Sequence, residues 1–518
     1  MKDIKKSNNI ATSAFLVTAM MLSFKILGFI KQAVIAYYFG ANGDTDIYFV
    51  AYGFVSGISE IIINSLRVSI IVVYTSIIIN KGKKYANGFV SILLEIFIPL
   101  SIIIIGIIII LAPNLASLLA PYYSYEQKNI LINYVIALGP IISLSIIELI
   151  MGAILDANKS FFISRLQSFI YSVSIIVVSI TLSSCLGIKS LVLGQYISSV
   201  LFCLLLIGVV CYKYEFRFTF ITKIREYHEI KNVLNTAAPL FIGNGVLQIN
   251  QIIDKSITTG LSAGAASSLM YCHTLEQFVT NIMIVNIGNV LFSHFSTAVA
   301  EKRFDNVKSI LKNAINSMII ILLPVSVITI LCSNDIVRIV YFRGGFTEAA
   351  VNMTSIALIG YSIFFPCVAI RDLTIKSNYA FSDTKGPMVA SIISIICNIF
   401  LSISLSKIIG ILGITLATGI SVIVGMGLNI LCFKKHMPNY DFINHFKLCF
   451  KLLPCTFPIL IGDYVLSFIS VNNPYIRFFT ISIIGFIIYI LLGYLFKVEL
   501  IEKMISKIIE RCRRVICR

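Results

Sequence analysis

Apolar residues run along this chain in long uninterrupted blocks, and the polar residues collect between them. The first clear block is "NIATSAFLVTAMMLSFKILGF" and the last is "FFTISIIGFIIYILLGYLF". Blocks of about 20 residues suffice for a helix to cross a roughly 30 Å hydrocarbon core. Membrane β-strands would alternate apolar and polar positions instead. The pattern predicts helical spans at 11–39, 47–79, 86–112, 128–154, 160–184, 188–211 and 232–261, and again at 265–299, 310–332, 349–375, 386–406, 410–433, 448–470 and 475–496. That makes fourteen.

Composition agrees with an all-α polytopic membrane protein. Of 518 residues 58% are hydrophobic and only 13% charged, against about 25% charged in a soluble domain. Tryptophan is absent, which leaves 24 tyrosines to supply an interfacial belt. The 12 cysteines are scattered through apolar segments without metal-type spacing and read as reduced, packed thiols. The basic start "MKDIKKSNNIATSAF" has no cleavage-type motif behind it and is expected to remain as part of the first span.

A formal net charge of +17 raises the question of a nucleic-acid partner, and the distribution of the charge answers it. With the N-terminus inside, 30 of the 41 Lys and Arg fall in cytoplasmic segments, six fall on the opposite side and five lie within spans. This is the asymmetry of the positive-inside rule, with both termini cytoplasmic. The basic charge therefore serves insertion and anionic lipid, and no nucleic acid is expected.

The chain also repeats itself. "LGIKSLVLGQYIS" from Leu186 matches "IGILGITLATGIS" from Ile409 at an offset of 223. "YVIALGPIISLSIIELI" pairs with "SIALIGYSIFFPCVAIRDL", and "IKQAVIAYYFGANGDTDIYFV" with "IDKSITTGLSAGAASSLMYC", which sets Lys31 against Lys255. Six spans per repeat give two parallel lobes around a central cavity. The expected organisation is an N-lobe at 1–212, a basic linker at 213–231, a C-lobe at 232–434, two further spans at 435–497 and a tail at 498–518. In the tail, Leu500, Ile501, Met504, Ile505, Ile508 and Ile509 form an apolar stripe suited to a membrane surface.

Charges inside the spans carry the functional signal, because each costs about 2.5–3.5 kcal/mol at the bilayer centre on insertion scales. Lys25 and Lys31 lie on the first span, about 9 Å and roughly 120° apart on a helix, with Gly28 between them. Two ammonium groups without an adjacent carboxylate suit a polyanion such as a diphosphate; the competing reading is snorkelling, or pairing with acids on other spans. The seventh span holds Gln248, Asn250, Gln251, Asp254 and Lys255 and is the most polar, as expected of a helix facing water or a hydrophilic head group. Glu60, Arg67, Glu95, Glu148, Glu276, Arg371 and Asp372 are the other deep charges; Glu148 and Arg371 are equivalent in the repeat and would suit an inter-lobe pair or a structural role. His228, His273, His294, His436 and His445 fit no metal or catalytic motif, and no nucleotide loop or nucleophile elbow occurs. A transporter driven by an ion gradient, the membrane potential or its substrate gradient is expected, without cofactor or enzymatic activity.

At "LGFIKQAVIAYYFGANGDTDIYFVA", "LQINQIIDKSITTGLSAGAASSLMY", "YFRGGFTEAAVNMTSIALIGYSIFFP" and "AFSDTKGPMVASIISIICNIFLS" the sequence resembles the MurJ/MviN family of lipid II flippases. The resemblance implies a cationic cavity between two lobes, a groove for a polyprenyl tail at the last two spans, and export of an undecaprenyl-diphosphate-linked peptidoglycan precursor from a bacterial cell membrane by a monomer. It places the family's cavity arginines at Lys25 and Lys31 and, with charge lost, at Ser59 and Thr274. Lys255 joins the substrate-binding set, and Asp46 and Asp254 the gating or coupling set. A sodium site would map to Asp254, Asn398 and Thr418, with Ser402 where a carboxylate is expected. The departures leave room for a flippase of another polyprenyl-diphosphate-linked oligosaccharide; a drug/cation antiporter is disfavoured by the lysines.

Overall fold

A computed structural model describes residues 23–220, 228–469, 473–503, 505 and 506. Among the described residues the secondary structure is helical, with no strand. Ten helices are long and apolar enough to cross a membrane, or eleven if Glu348–Ser362 and Phe365–Ala380, bent by 49°, form one span. The expected number of fourteen differs from this for identifiable reasons. The first span is described only from residue 23. The second and third lie in one 77-residue helix, Gly43–Leu119, broken at Gly82 (φ 79, ψ 173). At 1.5 Å per residue an unbroken helix of that length would reach about 115 Å, far beyond one bilayer. The seventh segment is a helix too, Glu229–Thr258, but it is too polar to qualify by composition.

In chain order the first helices are α1 (23–39), α2 (Gly43–Leu119), α3 (Tyr125–Leu138), α4 (Ile141–Ala157), α5 (Phe161–Arg165), α6 (Gln167–Leu186), α7 (Lys189–Tyr214) and α8 (Glu229–Thr258). They belong to a compact unit that runs to Ser267 and includes Arg343–Phe346. Its apolar core is built from Leu66, Ile70, Phe89, Ile150 and Leu206, all essentially inaccessible. One buried ion pair crosses that core: Arg67 on α2 donates through Nε to Asp156 on α4 at 3.0 Å, and Ser164 on α5 donates to the other carboxylate oxygen at 2.5 Å. A charge in this setting is tolerable only because its lone pairs are used.

The second unit, Ser268–Phe342 with Thr347–Arg518, takes in most of α9 (Ala265–Thr280). It continues through α10 (Asn286–Ala300), α11 (Phe304–Leu331), α12 (Ser333–Tyr341), α13 (Glu348–Ser362), α14 (Phe365–Ala380), α15 (Lys385–Ile409) and α16 (Ile411–His436) to α17 (Ile443–Leu452), α18 (Phe457–Phe468) and α19 (Pro474–Leu495). Its core joins Leu311, Ile315, Phe365 and Phe433 to Leu452, Ile459 and Tyr489, so the last helices are packed into the unit. Arg477 on α19 ties them further, to Asp463 at 2.6 Å and Asp335 at 3.5 Å. The described beginning of the tail turns its apolar stripe onto this core, with Ile501 buried and Leu500 and Ile505 packed beside it. Met504, Ile508 and Ile509 lie outside the described residues, as do residues 1–22 and 221–227.

The sequence repeat reappears in backbone torsions. Gly187 and Gly410, 223 residues apart, end α6 and α15 with φ 53, ψ −139 and φ 60, ψ −135. Lys159 (φ 60) and Ser382 (φ 61) are related by the same offset, and Gly40 (φ 64) and Gly264 (φ 91) by one residue more. An L side chain at Gly187 or Gly410 would be strained, yet a Cβ at either would meet no atom within 4 Å. Gly187→Ala and Gly410→Ala are therefore expected to destabilise by similar amounts, about 1–3 kcal/mol each. Thermal unfolding of the purified variants in detergent measures this, and unchanged melting at either site would contradict the strained assignment.

Candidate functional site

Helix α8 explains where its own polarity goes. From its start toward its end, Glu229 accepts from Lys81 (2.6 Å) and Tyr85 (3.0 Å), Asn244 donates to Ser65 (3.1 Å), and Gln248 donates to Glu60 (2.6 Å). Lys255 then lies over Gly53, where a Cβ would come within 2.9 Å of its Cδ. Residue numbers rise on α8 as they fall on α2, so the two helices run antiparallel, joined by a polar ladder. Hydrogen bonds of this kind hold membrane helices together at about 0.6 kcal/mol on average. The sequence suggested that Gln248, Asn250 and Gln251 make this helix face water or a hydrophilic head group; Gln248 instead bonds to a neighbouring helix, as does Asn244.

Of the three expected substrate lysines, Lys255 meets α2 at Gly53, and Lys31 meets α6 at Tyr171, whose hydroxyl bonds to Tyr52 on α2. The Lys31 ammonium sits over the Tyr171 ring, 4.3 Å from its centroid. Tyr171 donates its hydroxyl to Tyr52 (3.2 Å) and accepts from Gln195 (2.5 Å). Lys255 reaches Gly53, the residue after Tyr52, and the carboxylates that act on it are Glu60 and Asp254. Lys25 is exposed, one and a half turns before Lys31 on α1.

Asp46 is only 4% exposed. Its carboxylate accepts from the backbone N–H of Gly264 and of Ser267, both at 2.7 Å, and from the Ser267 hydroxyl at 2.6 Å. A negative group at the start of α9 satisfies donors that the helix leaves open and complements its dipole. Asp254 is buried on α8 in the first unit. Asn398 and Thr418 come together in the second, Asn398 donating to the Thr418 hydroxyl at 3.1 Å, while the Asn398 Oδ1 is buried without a partner. Ser402, also buried, follows Asn398 by one turn of α15. Thr274 bonds to the Met270 carbonyl at 3.0 Å. Among the described residues no group of three or more His, Cys, Asp and Glu side chains is placed to hold a metal ion.

Glu148 and Arg371 each have surroundings in their own unit. Glu148 accepts from Gln167 at 2.7 Å. Arg371 lies among Glu276 and Asp372, and Asp372 pairs with Lys376 at 2.7 Å. Lys376 also donates to the Val285 carbonyl at 3.3 Å, at the end of a π-helical segment, Asn281–Val285.

A cavity of about 190 Å³ opens within the first unit, lined by Tyr52, Ser59, Glu60, Glu148, Gln167 and Gln195 among others. Gln167, Gln195, Tyr52 and Tyr171 had not stood out in the sequence. A signal was present: Tyr48, Tyr52, Ser56 and Glu60 recur every four residues, a polar stripe on an otherwise apolar helix.

With this geometry in place, comparison with known proteins is decisive. A family model described as lipid II flippase MurJ matches residues 35–488. The chain belongs to the lipid II flippase MurJ family. Among its relatives, a lipid II flippase MurJ of Thermosipho africanus is 26% identical over 96% of this chain and 99% of its own length. A protein named "Probable lipid II flippase MurJ" of Buchnera aphidicola is 26% identical over 95% of this chain and 98% of its own. A solved lipid II flippase MurJ in an inward closed conformation shares the fold with a TM-score of 0.80 at 23% identity, covering 94% of this chain and 100% of that one. An inward-facing multidrug resistance MATE family transporter of the MOP superfamily gives a TM-score of 0.66 at 15% identity, covering 80% of this chain and 94% of that one. MurJ membership and the apolar helices together make this a multi-pass membrane protein.

Removing the Asp46 carboxylate strands the backbone N–H groups of Gly264 and Ser267, while the Ser267 hydroxyl keeps the Gly264 carbonyl as an acceptor at 3.2 Å. Each buried unsatisfied group costs about 1–3 kcal/mol. Asp46→Ala is expected to lower the melting temperature of the purified protein markedly, and Asp46→Asn less, because the amide oxygen still accepts. Equal melting of Asp46→Ala and the parent would show that the cap contributes nothing.

Proposed function

We propose that this chain carries lipid II, the undecaprenyl-diphosphate-linked peptidoglycan precursor, across the bacterial cell membrane by alternating access. What supports the reading most is the presence of two ammonium groups among the helices of a MurJ-family chain, Lys31 at the Tyr171 ring and Lys255 at Gly53. A diphosphate needs positive charge in a site otherwise built from apolar helices. Lysine supplies it as a mobile, strongly hydrated point charge, which follows a moving head group more readily than a rigid guanidinium fork. Lys25, exposed on α1, is the third member of the proposed set.

The finer parts of the proposal rest on the sequence. The excess of Lys and Arg on one side supports cytoplasmic termini. Coupling to Na⁺, H⁺ or the membrane potential is assigned to Asp46, Asp254, Asn398 and Thr418. The protein is proposed to act as a monomer among membrane lipids. Neutral Ser59 and Thr274 favour a second reading, transport of another polyprenyl-diphosphate-linked oligosaccharide.

Complementation of a bacterium depleted of its own lipid II flippase, joined to an assay of precursor exposed on the outer leaflet, tests this. The parent chain is expected to restore growth and exposure. Lys25→Ala combined with Lys31→Ala is expected to abolish exposure at undiminished membrane abundance, and Gly53→Ala, which crowds the Lys255 side chain, to reduce it. Undiminished exposure in the double variant would refute the roles of Lys25 and Lys31. Failure of a well-expressed parent with lipid II, combined with success on another polyprenyl-diphosphate glycan, would favour the second reading.

A further inference from the structure

The cavity of the first unit contains a buried carboxyl group that has no basic partner among the described residues. Glu148 on α4 is 6% exposed and receives hydrogen bonds from Gln167 and Ser199. Among the described residues no basic side chain pairs with it. The Lys31 ammonium is occupied at the Tyr171 ring, and the Arg67 guanidinium is bound to Asp156. The other titratable groups around this space are Tyr52 and Glu60 on α2, Tyr171 on α6, and the Cys203 thiol on α7; Lys255 on α8 acts on Glu60. None of these places a positive charge on Glu148.

An independent feature points into the same space. Ser59 lines the cavity, is 6% exposed, and its hydroxyl has no hydrogen-bond partner. A buried polar atom left unsatisfied is uncommon and calls for an occupant. Ser145, Ser198 and Ser199 add further hydroxyls to the lining, and the Gln167 Oε1 is still available because its amide nitrogen serves Glu148. The volume of about 190 Å³ far exceeds the roughly 10–15 Å³ that one water requires on this measure.

We propose that this cavity binds a small monovalent metal cation, with Glu148 supplying the charge and Ser59 and its neighbouring oxygens completing the shell. Hard cations take oxygen ligands and tolerate retained water. One buried carboxylate balances one positive charge, and the desolvation cost of each ion is offset by the other. The site belongs to the first unit and is separate from Asn398 and Thr418 in the second. It does not depend on which lipid is transported, because its readout is binding to the purified chain.

The experiment is thermal unfolding of the purified full-length protein in detergent at pH 8, titrated with NaCl or KCl against N-methylglucamine chloride at matched ionic strength. A bound ion raises the melting temperature with concentration. The parent is expected to respond to an alkali cation and not to N-methylglucamine. In an Asn398→Ala background, which removes the contribution of the coupling set, Glu148→Gln should abolish the remaining response and Ser59→Ala should shift its midpoint several-fold to higher concentration. Helix content and monodispersity establish that each variant is folded, and Ser59→Ala keeps the test decisive if Glu148→Gln does not fold. Equal effects of alkali and organic cations, including a response to pH alone, would overturn the proposal. So would an intact response in both Glu148→Gln and Ser59→Ala in that background, or no response in the Asn398→Ala background itself.

Discussion

Inside a bilayer a polar group has no water to turn to, and every other feature of this chain follows from that constraint. Helices satisfy the backbone; side chains must find partners on neighbouring helices. The α2–α8 ladder does this from Glu229 and Lys81 at one end to Lys255 and Gly53 at the other. Arg67, Asp156 and Ser164 do it in the core. Asp46 does it for the buried N–H groups at the head of α9. Polar residues that look like functional candidates in a hydropathy plot are thus often structural adhesive, and the ones that remain incompletely matched stand out by contrast.

Much of the fold was legible because the signal is physical and local. Every apolar block of about 20 residues became helix wherever the chain is described. The Gly82 break was not legible: "NKGKKYA" reads as a loop, yet helix continues on both sides of a single left-handed residue. The site was less readable. Lys31 and Lys255 could be named as candidates from their position in apolar segments, but their contacts with Tyr171 and Gly53 depend on packing between distant segments. The partners of Asp46 lie 218 and 221 residues away in sequence, where no spacing rule could find them. The carboxylate of Glu148 was visible, but the space beside it was not, because a cavity belongs to no single helix.

Fold and chemistry separate here in a way that bears on assignment. The resemblance to a MATE transporter shows that the architecture alone does not select a cargo. In this chain Lys31 meets the Tyr171 ring and Lys255 meets Gly53, while Ser59 and Thr274, where the sequence resemblance set arginines, are neutral. Ser59 is the more consequential, since its unpartnered hydroxyl lies in the same cavity as Glu148.

Lys159 and Ser382 share a left-handed torsion without sharing any side-chain chemistry, and neither is the glycine that such a torsion would favour. The 223-residue spacing seen in the sequence is thus kept in the main-chain torsion where the residues themselves differ. Alignments scored on residue identity will undervalue correspondences of this sort, whereas matching dihedral outliers between the halves of a protein can recover kinship where substitution has erased it.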